Sequence, residues 1–164
     1  MTTSSSLKSD LIKQACNEAL NGLRAGHGGP FGAILVKDGK IIARGHNMVL
    51  VTNDPTAHAE ITTIRNACKE LGTFQLVGCE LYTSCYPCPM CLGACLWARV
   101  DKVYYGCEPE EAAAVGFDDA EFYDFFTTDK SRLLSYVPIE GDVNRALALQ
   151  PFTEWHKKED KIHY

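Results

Sequence analysis

Three consecutive segments in the middle of the chain limit its fold more than any other feature. "CELYTS" at 79–84 reads as a short buried strand, a run from about 89 to 99 as a helix opened by Pro89, and "DKVYYGC" at 101–107 as a further strand. Strand, helix, strand in succession implies parallel neighbours, because the helix carries the chain back across one face of the sheet. Earlier, "FGAILVKDGKIIARGHN" is two apolar runs around Lys37-Asp38-Gly39-Lys40. Asp-Gly between such runs signals a tight antiparallel hairpin, since both central residues of its turn need positive φ. The sheet is therefore expected to be mixed. Leu11, Ile12, Ala15, Cys16, Ala19, Leu20 and Leu23 recur at helical spacing over 7–25, and "AGHGGP" stops that helix. In "NDPTAHAEITTIRNACKELG", Ile61, Ile64, Cys68 and Leu71 form another helical stripe, ended by Gly72. A fifth strand is expected near "LLSYVPI". The expected architecture is an α/β, three-layer α/β/α sandwich around a mixed five-stranded sheet.

With 164 residues the chain is expected to form one domain, 1–164, and to bury about two thirds of its unfolded surface. No apolar run approaches the roughly 18 residues of a membrane span, and "MTTSSSLKSD" lacks the profile of an export signal. A cytoplasmic protein without membrane partners is the expectation. Its eight cysteines then sit in a reducing compartment, where clusters bind metal or catalyse rather than form disulfides. Cys16, Cys68, Cys79, Cys95 and Cys107 lie scattered in apolar stretches and read as small buried hydrophobes. The net charge of −5 argues against nucleic acid as a partner, because phosphate binding calls for a basic face.

The other three cysteines are concentrated in "TSCYPCPMC" at 83–91. Cys85 and Cys88 enclose Tyr-Pro like a redox dithiol, whereas Cys88 and Cys91 enclose Pro-Met like half a zinc site. "PTAHAE" at 55–60 places His58 and Glu60 at the start of the preceding helix. Cys88 and Cys91 share a first helical turn, and a helix N-terminus favours thiolates. One imidazole and two thiolates leave the fourth tetrahedral position of a zinc ion open, the mark of a catalytic rather than structural site. A redox reading leaves His58, Glu60 and Cys91 unexplained, and a purely structural zinc has no use for Glu60. Cys85, cut off from the helical turn by Pro87, is expected near the site without a metal bond.

The pairing of H-x-E with P-C-x-x-C resembles the signature of the cytidine deaminase-like zinc deaminases, over roughly residues 7 to 125. The resemblance implies one zinc ion per subunit on His58, Cys88 and Cys91, with Glu60 as proton shuttle. "GGPFGAILVKDGKIIA", "LYTSCYPCPMCLGA", "WAR" and "GFDD" look like the guanine deaminases of the small bacterial type, and that likeness extends to the terminal "KIHY". It implies hydrolysis of guanine to xanthine and ammonia by a homodimer, with a tail of about 125–164 exchanged between subunits. It further implies that Asn47 and Asp119 bind the base, Phe31 lies on its face, Trp97 lines the pocket and Tyr164 closes it. Read without the resemblance, Asp119 is equally a helix cap, Asn47 a strand end, Phe31 and Trp97 core aromatics and Tyr164 a frayed terminus. Guanosine and adenosine in transfer RNA are the alternative substrates. The acidic balance argues against RNA.

Overall fold

The computed structural model describes residues 5–127, 145–151, 153 and 159. The chain divides into two compact units, Met1–Tyr123 and Asp124–Tyr164. The first carries the sheet and the site. In it the long helix α1 (Ser5–Arg24) leads to a hairpin of β1 (Gly32–Lys37) and β2 (Lys40–His46). A short α2 (Val49–Thr52) and α3 (Ala59–Leu71) follow, then β3 (Cys79–Cys85), α4 (Pro89–Trp97), β4 (Lys102–Cys107) and the short α5 (Pro109–Ala113). Helix α6 (Ala120–Thr127) begins in the first unit, and a single turn, α7 (Arg145–Ala148), belongs to the second.

The hairpin turns at Asp38 and Gly39, with φ of 50° and 74°, as its Asp-Gly pair demands. Sheet order is β2-β1-β3-β4, antiparallel within the hairpin and between β1 and β3, parallel between β3 and β4. The described sheet is mixed as expected but has four strands, not five. The segment "LLSYVPI" assigned to the fifth lies outside the described residues.

Side chains alternate along β1, and each face has its own cover. Ile34 and Val36, with Tyr82 of β3, pack against Leu11 and Ile12 of α1. Ala33 and Leu35, with Leu81, pack against Ala59 and Ala67 of α3 and Cys95 of α4. Ile34, Leu35 and Leu81 are wholly buried, each contributing about 1.5–3 kcal/mol of hydrophobic stabilisation. The innermost stripe of α3 is Ala59, Thr63 and Ala67 rather than the isoleucines that the periodicity picked out. Small side chains win there because the helix lies almost on the sheet: a Cβ on Gly45 of β2 would stand 2.8 Å from the backbone N of Thr63. Ile64, Cys68 and Leu71 pack at the border of the same core. With both helices laid on one face, the starts of α3 and α4 come together.

Candidate metal centre

His58 and Cys88 are the N-cap residues of α3 and α4, with nearly the same backbone conformation (φ/ψ −65°/162° and −62°/164°). Neither side chain caps its own helix. Each is extended away from the helix it precedes, and the two meet: His58 Nδ1 lies 3.5 Å from Cys88 Sγ and 3.6 Å from Cys91 Sγ. Pro89 at the first helical position fixes the turn that puts Cys88 and Cys91 on one side.

These separations are those of a tetrahedral zinc site. Zn–S of about 2.3 Å and Zn–N of about 2.0–2.1 Å at the tetrahedral angle place N and S about 3.6 Å apart. The three donor atoms lie within 4.8 Å of one another, and they are the one such group among the described residues. The donors are also electrostatically primed. The Cys91 thiol beside it, then His58, draw the Cys88 thiol down to about 4, while the Cys88 thiolate and burial push Cys91 up. A divalent cation between them stabilises both thiolates together.

Glu60, second in α3, is buried. Its Oε2 lies 3.3 Å from Cys91 Sγ, and its Oε1 accepts a 2.7 Å hydrogen bond from the Thr83 hydroxyl of β3. Burial pushes its carboxyl up and the Thr83 bond opposes that. A carboxyl so placed is suited to carrying a proton beside the metal. Cys85 is set apart, its Sγ 3.7 Å from the carbonyl of Glu108, and burial pushes its thiol up to about 11.

The remaining expected residues are placed unevenly. Asn47 is buried at the end of β2; its N–H donates to the Phe31 carbonyl and its Oδ1 accepts from Val49 N–H at 3.1 Å. Phe31 meets the edge of Phe117 at 5.0 Å. Asp119, half-buried before α6, has its carboxyl raised by burial and then by the Cys88 thiolate, while His58 lowers it; it therefore stands in the field of the metal ligands. Trp97 ends α4, about 9 Å along the axis from Cys91, and is 66% exposed. Tyr164 lies outside the described residues.

Two residues were not legible from the sequence. Thr83 looks like any β-branched strand residue. Tyr123 sits in an aromatic cluster readable as core or interface, yet its hydroxyl donates to the Pro87 carbonyl at 2.8 Å. That bond ties the segment bearing Asp119 to the residue before Cys88.

Residues 5–107 match the family model of the cytidine and deoxycytidylate deaminase zinc-binding region. The chain belongs to this family. Zinc is therefore the metal that the His–Cys–Cys group of this deaminase takes, and a zinc-dependent aminohydrolase is what the fold and site describe. The chain is 50% identical to the guanine deaminase of Bacillus subtilis over 93% of its own length and 96% of that protein. The crystal structure of guanine deaminase from Bacillus subtilis superposes with a TM-score of 0.88 at 47% identity, covering 95% of this chain and 98% of that one. The transfer-RNA-specific adenosine deaminase of Agrobacterium fabrum is 48% identical, but over only 52% of this chain and 57% of that protein. No helix among the described residues of this deaminase is long and apolar enough to cross a membrane.

Proposed function

We propose that the chain hydrolyses guanine to xanthine and ammonia. What carries the substrate reading is the extent of similarity. The part that this deaminase shares with an RNA-acting relative is about as well matched as the part it shares with a guanine deaminase, but the first match stops near half the chain and the second runs almost throughout. The reaction is common to the shared part. The choice of base draws on residues beyond it as well.

His58, Cys88 and Cys91 would hold the zinc, which would supply a Lewis acid able to make water nucleophilic near neutral pH. Glu60 would take one proton from the attacking water at Oε2 and pass it to the ring nitrogen beside the attacked carbon, then take the second from the new hydroxyl on that carbon and give it to the amino group, so that the C–N bond breaks and ammonia leaves as the carbonyl forms. Asp119 accepts from the N–H and amino donors of the guanine edge, and the amide NH2 of Asn47 donates to O6. Phe31 lies against the purine face. Tyr164 closes the pocket from the end of a tail, about 125–164, exchanged within a cytoplasmic homodimer. Trp97 borders the pocket as well.

Zinc content and ammonia release, measured on guanine, guanosine, adenine, cytosine and a transfer-RNA anticodon stem, test the reading. One zinc per chain and release from guanine are expected. Release from guanosine alone moves the substrate to the nucleoside, and release from the RNA alone overturns the proposal.

A further inference from the structure

Glu60 has to present one oxygen to the reacting centre and keep it there through two proton transfers, and the strand beneath it supplies the means. Residue 83 faces the α3 side of the sheet because it pairs across β1–β3 with Ala33, just as Leu81 pairs with Leu35. The hydroxyl that this register sends towards α3 is wholly buried. It has one proton and two acceptors in range: Glu60 Oε1 at 2.7 Å and the Gly32 carbonyl at 3.5 Å. The shorter contact takes the proton. Oε1 is thereby engaged from below, and Oε2 is the oxygen left beside Cys91, at 3.3 Å. Without that bond, the broad well of the last side-chain torsion lets the carboxylate plane turn, and Oε2 leaves its line.

We propose that Thr83 is the positioning residue of the proton carrier: it anchors Glu60 Oε1 so that Oε2 remains aimed at the metal centre. The inference rests on the role assigned to Glu60 above and adds the group that holds it. Thr83 touches neither metal ligand nor substrate in this account and acts through Glu60 alone.

Thr83→Val keeps the shape and removes the donor; Thr83→Ser keeps the donor. Both are compared with the parent and with Glu60→Gln for zinc content, kcat and KM on guanine, and for melting of the zinc-loaded proteins. Thr83→Val is expected to keep its zinc and its KM while kcat falls roughly ten- to a hundredfold, and Thr83→Ser to recover most of kcat. Val turning over like the parent, Val losing zinc along with turnover, or Ser failing to recover would each overturn the proposal. The melting measurement separates this from failure of the guanine reading. If the parent releases no ammonia from guanine, the substrate assignment falls, and the Thr83–Glu60 pair is judged by a double-mutant cycle. Non-additive losses in Tm support the anchoring bond, and additive losses overturn it.

Discussion

Two cysteines three positions apart, Cys85 and Cys88, illustrate how little a residue's own chemistry decides and how much its place does. Cys85 closes β3 with its sulfur towards a carbonyl, whereas Cys88 opens α4 beside an imidazole and a second thiol. Cys85→Ser should therefore leave one zinc per chain, while the same change at Cys88 or Cys91 should lose it; atomic emission on the purified proteins reads the difference. The thiol chemistry should differ too. Alkylation requires the thiolate, and burial holds the Cys85 pKa at about 11, above the ordinary thiol range. Between pH 7 and 9 the folded protein should thus be alkylated at Cys85 far more slowly than the denatured chain, with the rate still rising towards pH 11, as peptide mass spectrometry would record. Glu60 belongs to the same scale. Glu60→Gln retains the shape and the zinc but can neither take nor return a proton, so kcat should fall by roughly a hundred- to ten-thousandfold at unchanged metal content.

At the scale of elements, the site depends on how closely two helices are laid on the sheet. On the face opposite the metal, a Cβ on Gly32 would stand 2.2 Å from the backbone N of Ala19 and 2.3 Å from the carbonyl of Ala15, so α1 rests directly on β1. Backbone cannot swing aside as a side chain can. Gly32→Ala should therefore cost about 1–3 kcal/mol, seen as a lower midpoint in urea, and turnover should fall with it because β1 also positions Thr83. The order of elements was legible because long runs carry their period: α1, the hairpin, α3, β3, α4 and β4 all appear where spacing put them. Helices α2 and α5, of four and five residues, are shorter than the window in which a 3.6-residue period can be counted. The zinc ligands were legible because metal geometry restricts their spacing within each segment. Thr83 was not, since a hydroxyl that reaches another element is set by register across strands, which no local pattern carries. Trp97 was assigned to the pocket by likeness alone, since nothing in its local spacing separates it from a core aromatic.

At the scale of the whole molecule, the metal centre and its proton carrier lie before residue 107, within the stretch common to deaminases with different substrates. A centre of that kind activates water for any amino-bearing ring that reaches it. Discrimination must then come from what borders the ring, and of the residues assigned to guanine Asn47, Phe31 and Trp97 lie inside the common stretch. Asp119 and Tyr164 lie beyond it. The two can be separated because they should fail differently. Asp119→Asn converts an acceptor-only group into a mixed donor and acceptor facing the guanine donors, so it should raise KM for guanine and lower kcat/KM by roughly tenfold or more. Removing the last four residues, 161–164, deletes Tyr164 and leaves every zinc ligand, Glu60 and Asp119 in the chain. If closure of the pocket is the task of that end, the truncated protein should stay folded by circular dichroism and hold one zinc, yet lose most guanine turnover. Mixing it with an Asp119→Asn chain then asks whether the end closes its own pocket or a neighbour's. Activity recovered in the mixture, above that of either protein alone, requires a tyrosine from one subunit over the intact site of another, and no recovery would place each tail on its own chain.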